Sequence, residues 1–380
     1  MIINPVEHDI VVVGAGPVAL SVARALRGHS VAVLAQERRS PPAPQALDAR
    51  VYALSPGNVA FLRELGVWDA IPPERLCPVH AMRIAGDAGA RLDFDAYEAG
   101  VATLAWIVED SWLQHALWNV VAPLVYAPVE CRRLRIQADK AMLELADGRT
   151  LAAKLVVGAD GANSFVRREA GIAAREHEYG QHAVVANFAC EKSHRGTAFQ
   201  WFLAGGAVLA LLPLPGDRVS MVWSLPSAQA EQMSDERLAH DVEAASQGML
   251  GALTLVTPSR KYPLRRLAAR RVIAPRVALA GDAAHVVHPL AGQGLNLGLQ
   301  DVRELREVLA SGRDVGDFRV LRRYERARAE PILAMNAVIG GLFGLFGARG
   351  GAASFIRNAG LNLTNHLPVV KNLLMRQAMS

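Results

Sequence analysis

The 380-residue chain is long enough for about two domains with a substantial core, and at 51% hydrophobic and 20% charged residues it is a folding sequence, not a disordered one. Three widely separated cysteines, Cys77, Cys131 and Cys190, exclude a disulfide scaffold and a cysteine-based zinc site, and they fit a reducing, cytoplasmic compartment. The net charge of +5 is uneven: residues 260–380 carry 19 Lys/Arg against 8 Asp/Glu, so the preceding residues are net acidic. A basic final third fits an anionic surface, and with no RNP, zinc-finger or basic-zipper pattern nucleic acid is not an expected partner.

Glu7 and Asp9 lead straight into an apolar run at 9–13, with no basic leader or small-residue cleavage site, so no targeting signal is expected. Gly14-Ala15-Gly16-Pro17-Val18-Ala19 follows, then a helical stretch at 20–26 and a second strand at 30–35. In this strand–turn–helix–strand unit Gly14 permits the tight turn, Gly16 lets a pyrophosphate approach the backbone, and Ala19 allows close helix–strand packing. The helix N-terminus offers unpaired N–H groups to phosphate. A ribose-binding acid would normally close the second strand. Ala35 stands there instead, which leaves Glu37 as the expected ribose ligand and Gln36 as its alternative.

Two later segments repeat the strand–Gly–Asp form. Leu155-Val156-Val157-Gly158 runs into Ala159-Asp160-Gly161, and Val277-Ala278-Leu279-Ala280 runs into Gly281-Asp282 and, through His285 and His288, into a helix that passes Asp301. A buried carboxylate such as Asp282 can accept hydrogen bonds from a row of hydroxyls. Small residues at 291, 292 and 294 admit the edge of a flat ring, and a helix starting near Gly294 points its positive end there. No clustered His/Asp/Glu set predicts a metal, and no GxSxG or Cys/His arrangement predicts a nucleophile.

Taken together, GAGPVA, GADGANS and GDAAH–HPLAGQGLNLG, in this order, resemble the single-component FAD-dependent aromatic hydroxylases of the p-hydroxybenzoate hydroxylase class. Residues 48–55, 109–119 and 321–326 resemble its ubiquinone-biosynthesis branch, and the likeness spans roughly residues 8–378. The resemblance implies an α/β protein: a Rossmann-like FAD-binding domain with a second, β-sheet substrate domain and a helical C-terminal tail. It also implies that NADH or NADPH reduces FAD, which then uses O2 to hydroxylate a prenylated phenol. On this likeness Gly14, Gly16, Ala19 and Glu37 hold the ADP half, and Arg50 lies near the flavin and pyrophosphate. Asp160 belongs to the motif linked with both FAD and NAD(P)H, and Asp282 takes the ribityl chain. Pro289, Gly292 and Gln293 flank the isoalloxazine, with Gly294 and Asn296 beside them. His285 and His288 read as structural histidines. Tyr52, Tyr179, Tyr262 and His182 are available to deprotonate a phenol, and the sequence selects none of them.

The implied organisation is a discontinuous FAD domain from residues 1–75, 105–180 and 260–330, a substrate domain from 76–104 and 181–259, and a helical region at 331–380. Strand-like runs at 182–188, 198–203, 207–212 and 219–225, with turn signals at Gly205-Gly206 and Pro215-Gly216-Asp217, predict an antiparallel sheet followed by a helix at 234–244. Trp201, Phe202, Leu211, Leu212 and Trp223 are either core of that sheet or lining of a substrate cavity. Near the end, Arg322, Arg323, Arg326 and Arg328 precede a charge-free run at 331–347, which is shorter than the ~20 residues a spanning helix needs. Basic residues beside apolar ones predict a peripheral contact with the inner membrane surface; packing on the FAD domain is the alternative. Two rival functions remain open. One is hydroxylation of a small soluble aromatic compound, whose pocket would hold an arginine for a carboxylate. The other is a non-catalytic scaffold in a biosynthetic complex.

Overall fold

The computed structural model describes residues 5–86, 89–288, 293–310 and 314–347. Strand Val6–Val13 is central to the first sheet. It pairs in parallel with Val31–Leu34 on one side and Thr150–Gly158 on the other. Val125–Tyr126 and Val277–Leu279 extend the parallel order outward. Ile10, Val11 and Val12 are fully buried, as a strand covered on both faces requires. Ile10 and Val12 face a core built with helices Pro17–Ala25, Asp110–Val121 and Gln293–Ala310. Val11 and Val13 face the opposite core, shared with antiparallel strands Cys131–Ile136 and Ala141–Leu145.

A nine-stranded sheet forms the second body. Its main antiparallel run is Arg260–Ala269, Ala174–Cys190, Arg218–Pro226, Val208–Leu214 and Thr197–Phe202, to which Ala81–Ala85 adds in parallel. Helix Asp235–Ala245 covers one face through Leu238 and Val242. Strands alternate their faces, so neighbours in sequence cannot share a role. Trp201, Leu211 and Trp223 pack into the helix-side core, whereas Phe202 and Leu212 line the cavity on the other face. Only two of the five apolar residues considered for the cavity are therefore there.

The boundary expected at residue 180 falls inside one 17-residue strand, Ala174–Cys190, and Arg260–Ala269, expected within the FAD domain, is its sheet partner. The first third of Ala174–Cys190 is exposed and polar, so its strand character comes from pairing and not from an apolar pattern of its own. A three-stranded sheet of Val51–Leu54, Ala105–Glu109 and Leu76–Val79 lies between the two bodies. The C-terminal part contains helix Phe318–Gly347; the expectations for residues 348–380 lie outside the described residues.

Candidate active site

Three glycine-bearing turns meet at the carboxyl ends of the parallel strands, where open α/β sheets bind ligands. The Ala159 N–H donates to Val13 O and the Ala280 N–H to Gly158 O, both at 2.9 Å. Gly14, at φ +121°, lies so close to the second turn that a Cβ on it would sit 2.3 Å from Ala159 O. A Cβ on Gly158 would overlap Val166, and one on Gly298 would overlap Val18. These glycines are small because protein lies against them. Gly16 differs: a Cβ there meets nothing within 4 Å.

That open space belongs to a cavity of about 2000 Å3 running from the turns to the inner face of the second sheet. Gly14, Gly16, Glu37, Arg50, Asp160 and Asp282 all line it, as do Gln293, Gly294 and Asn296. Ala19 is fully buried behind the first turn, as close helix–strand contact requires. Gln36 and Glu37 are both exposed on the cavity rim, so either can reach a ribose. Pro289 and Gly292 lie outside the described residues.

The carboxylates at the site have different duties. Asp160 accepts from the Ser164 hydroxyl (2.5 Å) and the Val166 N–H (3.1 Å), so it braces the start of the short helix Phe165–Glu169, whose N-cap is Ser164. Asp282 faces the cavity and makes no hydrogen bond to the described protein. It is exposed to the cavity, yet the surrounding protein atoms desolvate it and raise its pKa, and His285, Arg50 and Arg265 oppose the rise. Arg50 opens to the same cavity, with its guanidinium 5.4 Å from the Tyr52 ring centre. Burial opposes its charge, and Tyr52, Asp110, Asp282 and Tyr262 outweigh burial and raise its pKa. Tyr52 is itself fixed by donating to Asp110 (2.9 Å), which also accepts from Gln114 (2.7 Å).

Asn296 is placed in a lock between elements. Its side chain accepts from the Ser55 N–H and from Asn58 Nδ2, and donates to Ala53 O. These bonds tie the first turn of Gln293–Ala310 to the start of helix Pro56–Glu64.

Sequence reasoning passed over two positions that build the site. Arg167, buried, donates to Ala283 O (2.9 Å) and Ala162 O (2.7 Å), clamping the second turn to the third. Asp301, fully buried, accepts from the Gly281 N–H (2.8 Å), His285 Nε2 (2.7 Å) and Arg328 Nε (2.6 Å). The one available signal was an acid on the apolar stripe Leu297, Leu305, Leu309 of an amphipathic helix. His285 is held in this network through Nε2.

The donor set fits a flavin dinucleotide. Gly16 leaves room beside a helix N-terminus, and Asp282 offers an uncommitted carboxylate where a polyhydroxyl chain would run. A parallel dinucleotide-type sheet facing a second sheet across one cavity defines a two-domain α/β dinucleotide-cofactor protein. The family model described as FAD binding domain matches residues 7–336, and the chain belongs to that family, with FAD as its cofactor. It is 33% identical to the 3-demethoxyubiquinol 3-hydroxylase of Escherichia coli K12, over 98% of both chains. It is 35% identical to ubiquinone hydroxylase UbiL of Rhodospirillum rubrum, over 98% of this chain and 89% of that one. The p-nitrophenol 4-monooxygenase PnpA of Pseudomonas putida has the same fold, with a TM-score of 0.80 at 21% identity over 100% of this chain and 99% of that one.

Asp282→Ala should keep the fold, because no group among the described residues hydrogen-bonds that carboxylate, and should weaken FAD binding at least tenfold, which is the loss of about 1.4 kcal/mol. Fluorescence titration of the apoprotein with FAD measures this; unchanged affinity would remove Asp282 from the cofactor site.

Proposed function

We propose that the protein is a flavin-dependent monooxygenase that hydroxylates the ring of a prenylated phenol in ubiquinone biosynthesis, with NADH or NADPH as reductant and O2 as the oxygen source. One observation carries the substrate class: the cavity wall formed by the lining residues between 183 and 224 has no charge. Ala183, Val185, Ala198, Phe202, Ala210 and Leu212 are typical of that wall. The charged residues that this sheet does turn to the cavity, Glu178 and Arg265, pair with each other across Ala174–Cys190 and Arg260–Ala269, and others, Arg50 and Asp282 among them, come from outside the sheet. An aromatic acid would bury its carboxylate against this wall at a cost of several kcal/mol. A neutral phenol with an isoprenoid tail would instead gain about 0.8 kcal/mol for each buried CH2. The names of the relatives support the same substrate class.

In this reading bound FAD supplies the activation of O2 and the chain supplies position and charge. Gly14, Gly16 and the N-terminus of Pro17–Ala25 would hold the pyrophosphate, Glu37 or Gln36 the ribose, and Asp282 the ribityl hydroxyls. Arg50, steered by Tyr52, presents a fixed positive charge beside them. Gln293 and Gly294, together with Pro289 and Gly292, would flank the ring. The apolar wall keeps water from the reacting centre. Of the four groups that could take the phenol proton, Tyr52 is committed to Asp110 and Tyr179 does not line the cavity. Tyr262 and His182 do line it, and His182 Nδ1 lies 3.0 Å from the Ser227 hydroxyl.

NAD(P)H oxidation in the presence of a geranylated phenol, compared with 4-hydroxybenzoate, tests the substrate class. Coupled turnover with the prenylated phenol alone is expected; turnover with the acid alone would reject it. Ala210→Trp fills the wall and should lower kcat/KM for the prenylated phenol more than tenfold with FAD content unchanged. Unaltered kinetics would place the substrate elsewhere.

No helix among the described residues is long and apolar enough to cross a membrane. A peripheral contact through helix Phe318–Gly347 is supported by Arg322, Arg323 and Arg326, all exposed, and by Leu333, which is 72% exposed. Arg328 is not part of that surface, since it is buried against Asp301. Flotation with anionic vesicles should recover the protein, and Leu333→Glu should reduce the recovery; wild-type recovery of the variant would reject this contact.

A further inference from the structure

Strand Thr197–Phe202 turns Ala198, Gln200 and Phe202 toward the cavity and Phe199 and Trp201 toward the helix-side core. Gln200 is the exception in that inward set. It is only 6% exposed, yet its amide makes no hydrogen bond to the described protein, and its open side is the cavity. The register surrounds it with apolar groups: Ile84 on one side, then Ala210, Val222 and Val185 across the next three strands. A long polar side chain at such a position works against packing. The amide opens only to the cavity, and a leucine of similar size would fill the same space without a polar group.

Its place along the strand gives the amide a purpose. Ala198, one pleat away on the same face, packs with Leu212, Val51 and Ala53. Val51 and Ala53 belong to the segment that carries Arg50 and Tyr52. Gln200 therefore lines the cavity one pleat from that contact. Among the cavity-lining residues between 183 and 224, only Gln200 and Ser224 carry a side-chain nitrogen or oxygen. Ser224 is short and sits in the next row, between Val208 and Ala183.

We propose that Gln200 is the specificity-determining contact for the oxygen substituent of the substrate ring: its amide hydrogen-bonds that oxygen while the apolar wall holds the hydrocarbon. This rests on the reading of the cavity as a site for a prenylated phenol. An amide suits the task because it both donates and accepts, so it can bind a hydroxyl or an ether oxygen without adding charge. A site built to bond a substrate oxygen discriminates strongly against the analogue that lacks it, because its own polar group is then left unsatisfied.

The test compares 2-geranylphenol with geranylbenzene as ligands of the FAD-loaded protein. Binding is read from the change each produces in the flavin absorption spectrum. The wild type should bind the phenol at least tenfold more tightly. Gln200→Leu should abolish that preference by weakening the phenol, leave geranylbenzene equal or tighter, and keep FAD affinity and thermal stability at or above wild type. Gln200→Asn, which keeps the amide on a shorter stem, should restore part of the preference, and Ser224→Ala should leave it intact. A Gln200→Leu protein that retains the full preference, or a Ser224→Ala protein that loses it, overturns the proposal. If neither ligand perturbs the wild-type spectrum, the prenylated-phenol reading of the cavity fails first, and with it the basis of this inference.

Discussion

Gly16→Val should yield a folded, colourless protein. A Cβ at this position meets no protein atom within 4 Å, and the backbone there is ordinary, at φ −76° and ψ 174°. The branched side chain would therefore enter cofactor space without disturbing the core. Loss of FAD affinity of at least a hundredfold is expected, with an unfolding transition close to that of the wild-type apoprotein. Gly14→Ala is the contrasting control. Its Cβ would lie 2.3 Å from Ala159 O, and φ +121° is closed to alanine. That variant should lose stability in the apoprotein itself. Two glycines of one motif thus have separable roles, one for the turn and one for the ligand. A Gly16→Val protein that binds FAD normally would place the pyrophosphate away from this turn.

Asp301→Ala should cost about 3–5 kcal/mol of folding free energy, the range for removing one partner of a buried charge network. Arg328 and His285 would keep their burial and lose their counter-charge, and the Gly281 N–H would lose its acceptor. Burial alone would raise the Asp301 pKa. The charges of His285 and Arg328 and the hydrogen bonds from His285 and Gly281 outweigh it and hold the carboxyl below its ordinary value. The sign follows: a depressed carboxylate contributes stability that is complete above its unfolded pKa, about 3.9, and is lost as pH falls through the lower folded value. For His285, burial lowers the pKa and Asp301 more than reverses it. Its share of stability is therefore present below about 6.5 and is lost as pH rises through the raised folded value. Denaturant titration of the apoprotein across pH should show both limbs in the wild type and neither in Asp301→Ala. A loss below 1 kcal/mol would mean that the network is not structurally coupled.

The parts of the site legible in the sequence are those whose meaning is local. The first turn could be read because strand, glycines and helix are contiguous, and Asp282 because its Gly-Asp turn ends an apolar strand. What stayed hidden depends on long-range partners. Asp301 meets Gly281 across 20 residues and Arg328 across 27, and no local pattern marks either pairing. Asn296 stood within a cofactor-type motif, and its bonds to Ser55, Asn58 and Ala53, more than 230 residues earlier in the chain, had no local signal. The alternation of Thr197–Phe202 was visible, but which face met the cavity was not, so Trp201 and Phe202 could not be told apart. The polar start of Ala174–Cys190 gave no apolar period to read, and its pairing with Arg260–Ala269 is what makes it a strand.

The most direct test of the central claim is single-turnover reaction of the FAD-loaded protein with NADH, a geranylated phenol and 18O2, followed by mass spectrometry of the phenol. One 18O atom in the ring-hydroxylated product, formed in step with NADH oxidation and absent from Asp282→Ala, is the expected result. NADH oxidation that yields only hydrogen peroxide, with no labelled phenol under conditions where the phenol is shown to bind, would contradict it.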